Sequence, residues 1–91
     1  MPKAGPPAGT PLALSERIIF QPYSRGRRGD VVAGGAVVCR TPEEAQRRAD
    51  KALTGGSAIG AHIVRMVVDT ELGDYGEPEY LAVMGIVPDF V

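Results

Sequence analysis

Between Thr41 and Gly56 the chain carries one helix signature, complete at both ends, and strand-like runs stand in pairs on either side of it. Thr41 is placed to accept from the backbone N–H of Glu44, and Glu44 to reach back to the N–H of Thr41, which makes a capping box. Pro42 falls at the first helical position, where its missing donor is harmless and its fixed φ suits the helix. Glu43 and Glu44 lie at the positive end of the helix dipole. Gly55 or Gly56 supplies the left-handed residue that stops it. Ala45, Ala49, Ala52 and Leu53 recur at i, i+4, i+7 and i+8, so the apolar stripe is narrow and almost all alanine. Such a helix can lie close to a sheet, with Leu53 as its one large anchor. Glu43–Arg47 and Glu44–Arg48 have the favourable i,i+4 order, and a solvated outer face is their plain reading.

Ahead of the helix, Glu16 to Tyr23 and Asp30 to Cys39 alternate or run apolar as strands, joined by the turn Ser24-Arg25-Gly26-Arg27-Arg28-Gly29. Pro22 has no donor and suits a strand end or an edge. Gly34-Gly35 marks a bulge or a close backbone approach, with the alanine stripe as its expected neighbour. After the helix, Ala61 to Asp69 is the third strand and Glu79 to Val87 the fourth, with a long turn from Glu71 to Pro78 and Pro88 as terminator. The fold class is α+β: ββαββ, a four-stranded, mainly antiparallel sheet with one helix packed on one face. The helix links strand two to strand three, so those two run parallel. If they share a sheet, the crossover is right-handed. Residues 1–14 hold four of the chain's eight prolines and read as a disordered Pro/Gly-rich tail; residues 15–91 form a single domain. Packing of Phe90 across a sheet edge is the plain reading of the C-terminus.

Ninety-one residues allow one small core. A formal charge of −1 gives no global basic excess for nucleic acid. The single cysteine cannot form an internal disulfide, and no Cys/His set exists for zinc. No apolar run reaches membrane-spanning length. The N-terminus has prolines where a secretory signal has an apolar segment. A cytoplasmic protein without metal or cofactor is the expectation.

Residues able to do chemistry are few. His62, the only histidine, has no second ligand near it in sequence and reads as a structural imidazole. Cys39 ends an apolar strand and reads as a small hydrophobe. Arg40 beside it is the neighbour that would lower the thiol pKa. Ser15, Ser24 and Ser57 have no nucleophile setting. Gly55 to Gly60 follows a helix and lacks the lysine of a phosphate loop. With no nucleophile, base and orienter converging, a non-enzymatic protein is expected. The acidic turn from Asp69 to Glu79 lacks calcium-loop spacing. Arg28-Gly29-Asp30 spells an integrin tripeptide, a coincidence in a cytosolic chain without disulfides. The basic tip of Arg25, Arg27 and Arg28 is the sharpest feature: on a hairpin it can meet phosphates, as basic β-ribbons do. The two hairpin tips, one basic and one acidic, should emerge at opposite ends of the domain.

The strands carry more apolar surface than one helix can cover. Ile18, Phe20, Val64, Met66 and Val68 would share one face, and Ile19, Ile63 and Val67, interrupted by Arg65, the other. Strand four is apolar on both sides, with Leu81, Val83 and Val87 opposite Ala82, Met84 and Ile86. Strands apolar on both faces are buried on both. A partner, most simply a second copy, is therefore expected on the helix-free face through Ile19, Ile63, Val67, Leu81, Val83 and Val87. At Phe20-Gln21-Pro22-Tyr23, the Arg/Gly turn after it and Gly73-Asp74-Tyr75-Gly76-Glu77-Pro78, the chain resembles short, uncharacterised bacterial single-domain proteins. The resemblance covers about residues 16–88, consists of turn chemistry and implies no activity. The expectation is a small, self-associating interaction module, with nucleic-acid binding through Arg25, Arg27 and Arg28 as the alternative.

Overall fold

A computed structural model describes residues 14–88. Of the tail expected over residues 1–14, residues 1–13 lie outside the described residues, as does the packing expected of Phe90, whereas Leu14 belongs to the first strand and not to the tail. The elements are β1 (Leu14–Arg25), β2 (Val31–Ala33), β3 (Val37–Cys39), α1 (Pro42–Gly55), β4 (Gly60–Asp69), β5 (Asp74–Tyr75) and β6 (Glu79–Gly85). Both β2 and β3 pair with β1, and both β5 and β6 pair with β4, every pairing antiparallel. The sheet is therefore four strands wide, with β1 and β4 in the middle and a broken strand along each edge. This is the α+β, ββαββ arrangement, and β1 lies between the parallel β3 and β4.

The first edge breaks for a local reason. Pro22 sits inside β1, not at its end or at a sheet edge, and has no N–H to offer. The ladder from β1 to its edge partner is interrupted there: β3 pairs with residues up to Phe20 and β2 resumes at Tyr23. Gly34 in the gap donates to the Pro22 carbonyl at 2.9 Å, and Gln21 Nε2 bonds both the Pro22 and Gly34 carbonyls. A Cβ on Gly34 would press on the Pro22 ring at 3.3 Å, so the close neighbour of this glycine is Pro22 and not the helix.

The helix has its expected bounds, with two differences. Thr41 Oγ1 accepts from the Glu44 N–H at 3.0 Å, but the Glu44 carboxylate takes the N–H of Arg40 in place of Thr41, at 2.9 Å. Gly56, at φ +83, is the left-handed cap and donates to the Leu53 carbonyl. Glu44–Arg48 forms at 3.3 Å. Ala45 and Ala49 are fully buried, and with Ile18, Phe20, Cys39, Ala61 and Ile63 they make the core. Leu53 is only half-buried and stands outside that cluster, so alanines anchor the helix. Each buried methyl contributes about 0.8 kcal/mol, and the gain lies in how near the axis comes to the sheet.

Register assigns the faces. Phe20 stands opposite Ile63, and Ile19 opposite Val64. Side chains directly opposite share a face, so Ile63 joins Ile18 and Phe20 under the helix, and Arg65 lies on the same face but exposed. Val64, Met66 and Val68 join Ile19 on the far side. This reverses the expected grouping of the third strand. Arg65 bridges Glu16, at 3.2 Å, and Glu79 across three strands, and the bond to Glu79 is the main cause of its raised pKa. Gly60 and Gly85 face each other where β6 ends: a Cβ on Gly60 would collide with the Ile86 carbonyl, and Gly85 has φ +66. That glycine stops β6 three residues before Pro88, the expected terminator.

Candidate interaction surface

The helix-free face is a shallow groove of about 290 Å³, with Ile19, Gln21, Tyr23, His62, Val64 and Met66 on its floor and Ala36, Pro78 and Tyr80 at its margins. Tyr23, His62, Val64 and Val68 are buried. Four of the exposed apolar groups form a rim around it: Val38 on one edge (63% exposed), Tyr75 (69%), Tyr80 (50%) and Val83 (57%) on the other, while Val32 and Val67 are exposed on the helix side and Leu72 in the acidic turn. Cross-strand pairing places the rim residues on this side, since Val38 stands opposite Ile19, Tyr75 opposite Val68, Tyr80 opposite Val64 and Val83 opposite His62. A register shift between Ile63 and Val64 makes this possible, because the extra residue, Leu81, lets Tyr80 and Val83 face the same way.

At the centre, Tyr23 Oη and His62 Nδ1 are hydrogen-bonded at 2.9 Å. The imidazole stands edge-on to two phenol rings, with centroids 5.1 Å away for Tyr23 and 4.9 Å for Tyr80. Burial lowers the His62 pKa and so keeps the ring neutral, and burial followed by the nearby Tyr80 raises that of Tyr23. Neither shift brings a proton nearer to transfer at neutral pH. The pair serves to satisfy a buried polar ring inside an apolar floor.

Of the six residues expected on this face, Ile19 and Val83 are there. Ile63 is the largest fully enclosed side chain and lies in the helix-side core. Val67 stands opposite Glu16, on the helix side, and is exposed. Leu81 occupies the register shift, and Val87 lies past the end of β6. Tyr23, His62, Val64, Met66 and Tyr80 were not foreseen. The alternation of Ile19, Gln21 and Tyr23 along β1 carries their signal, but only the register attaches β4 to it.

Elsewhere, Cys39 is buried, as expected of a small hydrophobe, and its thiol pKa is raised by burial and then by Glu44; Arg40 is not among the causes. Among the described residues no group of three metal-ligating side chains converges, and no helix is long and apolar enough to cross a membrane. The Leu14–Asp69 and Tyr23–Gly60 ends of the β1–β4 ladder place the Arg tip and the acidic turn at opposite poles. Arg25 is turned back onto the Gly29 carbonyl at 2.8 Å, while Arg27 and Arg28 are exposed. In the acidic turn, Asp69 Oδ1 accepts the amides of Glu71 and Leu72. The fold and surface together describe a small antiparallel α+β domain with an apolar-rimmed groove. Compared with protein-family models, curated proteins and solved structures, the chain gives no significant match.

Proposed function

We propose that the protein is a small, non-enzymatic interaction module that self-associates through the helix-free face of its sheet. The observation that carries this reading is the rim of Val38, Tyr75, Tyr80 and Val83, all bare and all on the side the helix leaves uncovered. Tyrosines around an apolar floor suit a protein interface, where the ring buries area and the hydroxyl stays hydrated. Cys39 and His62 do not favour catalysis, because one is a buried thiol with a raised pKa and the other a buried, neutral ring bonded to Tyr23.

Light scattering tests the proposal: it should return twice the 9.6 kDa chain mass at high concentration. Val83→Asp, at an exposed site, should return the single-chain mass and melt like wild type diluted to its monomeric state. A wild-type chain that stays monomeric up to about 1 mM, where only the weakest complexes remain open, would refute it. Nucleic-acid binding through Arg25, Arg27 and Arg28 is the weaker alternative, because Arg25 is already engaged by its own turn. A salt-dependent duplex shift lost in Arg27→Ala/Arg28→Ala would favour it.

A further inference from the structure

We infer that two copies associate antiparallel, the basic hairpin tip of each against the acidic hairpin of the other. The inference rests on the self-association reading and adds the orientation and the charged contacts that set it. Ten consecutive residue pairs join β1 to β4, so the two poles stand about 30 Å apart at roughly 3.4 Å per residue. One pole presents the exposed Arg27 and Arg28, and the other the exposed Glu71, Asp74 and Glu77. The rest of each cluster is committed within the chain, Arg25 to Gly29, Asp69 to backbone amides and Glu79 to Arg65.

The bare rim spans the interval between these poles, from Tyr75 on the acidic hairpin to Val83 near the other end of β6. A partner of the same sequence lying parallel would set arginine beside arginine and carboxylate beside carboxylate. Turned antiparallel, it sets opposite charges together twice, once at each end of the shared apolar patch. A two-fold axis across the strands does this without altering either chain, so a second copy carries the charge pattern complementary to this face.

Charge reversal tests the inference. Arg27→Glu/Arg28→Glu and, separately, Asp74→Lys/Glu77→Lys should each weaken self-association roughly tenfold or more, since several exposed pairs change from attraction to repulsion. An equimolar mixture of the two variants should form a heterodimer within about threefold of wild-type affinity, because both of its ends bring opposite charges together, one in the wild-type sense and the other with the signs exchanged. All four positions are exposed, and melting temperatures equal to that of dilute, monomeric wild type verify that the variants fold. Should one not fold, the wild type decides: its dissociation constant should rise as salt increases from 50 to 500 mM, on the order of the screening expected for surface charges. Weakened variants that fail to restore one another, variants that self-associate like wild type, or a salt-independent constant would each overturn the antiparallel arrangement and leave self-association standing. A monomeric wild type would remove both.

Discussion

Truncating Ile63 separates a core residue from an interface residue. Ile63 is 2% exposed, stands opposite Phe20 and Ala82, and packs in the cluster with Ala45 and Ala49. Ile63→Ala removes everything beyond Cβ, a transfer loss of roughly 2.4 kcal/mol at about 0.8 kcal/mol per carbon group. The alanines of the helix have no side chain able to swing into the space, so a cavity term adds to this. The expected total is about 3–5 kcal/mol, in the upper part of the range for such truncations. For a domain of this size that lowers the melting temperature by on the order of 12–40 °C. Ile19→Ala, half-buried on the opposite face, should lose only about 1 kcal/mol. Urea titrations at two protein concentrations measure both, and the Ile63→Ala loss should be the same at each. A loss below about 1 kcal/mol, or one that appears only as weakened association, would refute the register that places Ile63 under the helix.

Three further outcomes are expected. The folded His62 has a lowered pKa, so the unfolded chain binds the extra proton first as pH falls; stability is fully present above the ordinary histidine value of about 6.5 and is lost below it, no more steeply than about 1.4 kcal/mol per pH unit. Thermal melts from pH 7.5 to 5 should show this decline, and His62→Phe should flatten it even if the variant is less stable throughout. Gly60→Ala drives a methyl into the Ile86 carbonyl and should destabilise by about 1–3 kcal/mol in a denaturant titration, whereas Gly35→Ala, whose Cβ meets only open space, should change little. Cys39, buried and with its thiol pKa raised, should react with a thiol reagent only as fast as the domain opens; labelling at the rate of an exposed thiol would contradict its place in the core.

The helix was legible from residues 41–56 because its determinants are local. A cap, a proline, an alanine stripe and a terminal glycine all act within a few residues of one another: Thr41 caps with its hydroxyl, Pro42 brings its fixed φ, and Gly56, without a Cβ, takes the left-handed conformation. The ββαββ order and the opposed charged poles were legible for the same reason, since turn chemistry and strand runs set the direction in which the chain reverses. The faces of the sheet were not. From Ile63 to Val68 the third strand is apolar at five of six positions, with Arg65 the exception, so alternation alone gives no preferred side. In a ladder of period two, a one-residue slip exchanges every side chain between core and solvent. Long-range constraints made that choice: the missing donor of Pro22, the Gly60–Gly85 contact, the Arg65 bridge to Glu16 and Glu79, and the room taken by Leu81. Sequence by itself determined the elements and their order; tertiary structure decided which side of the third strand the alanine helix covers, because that depends on pairing between residues some forty positions apart.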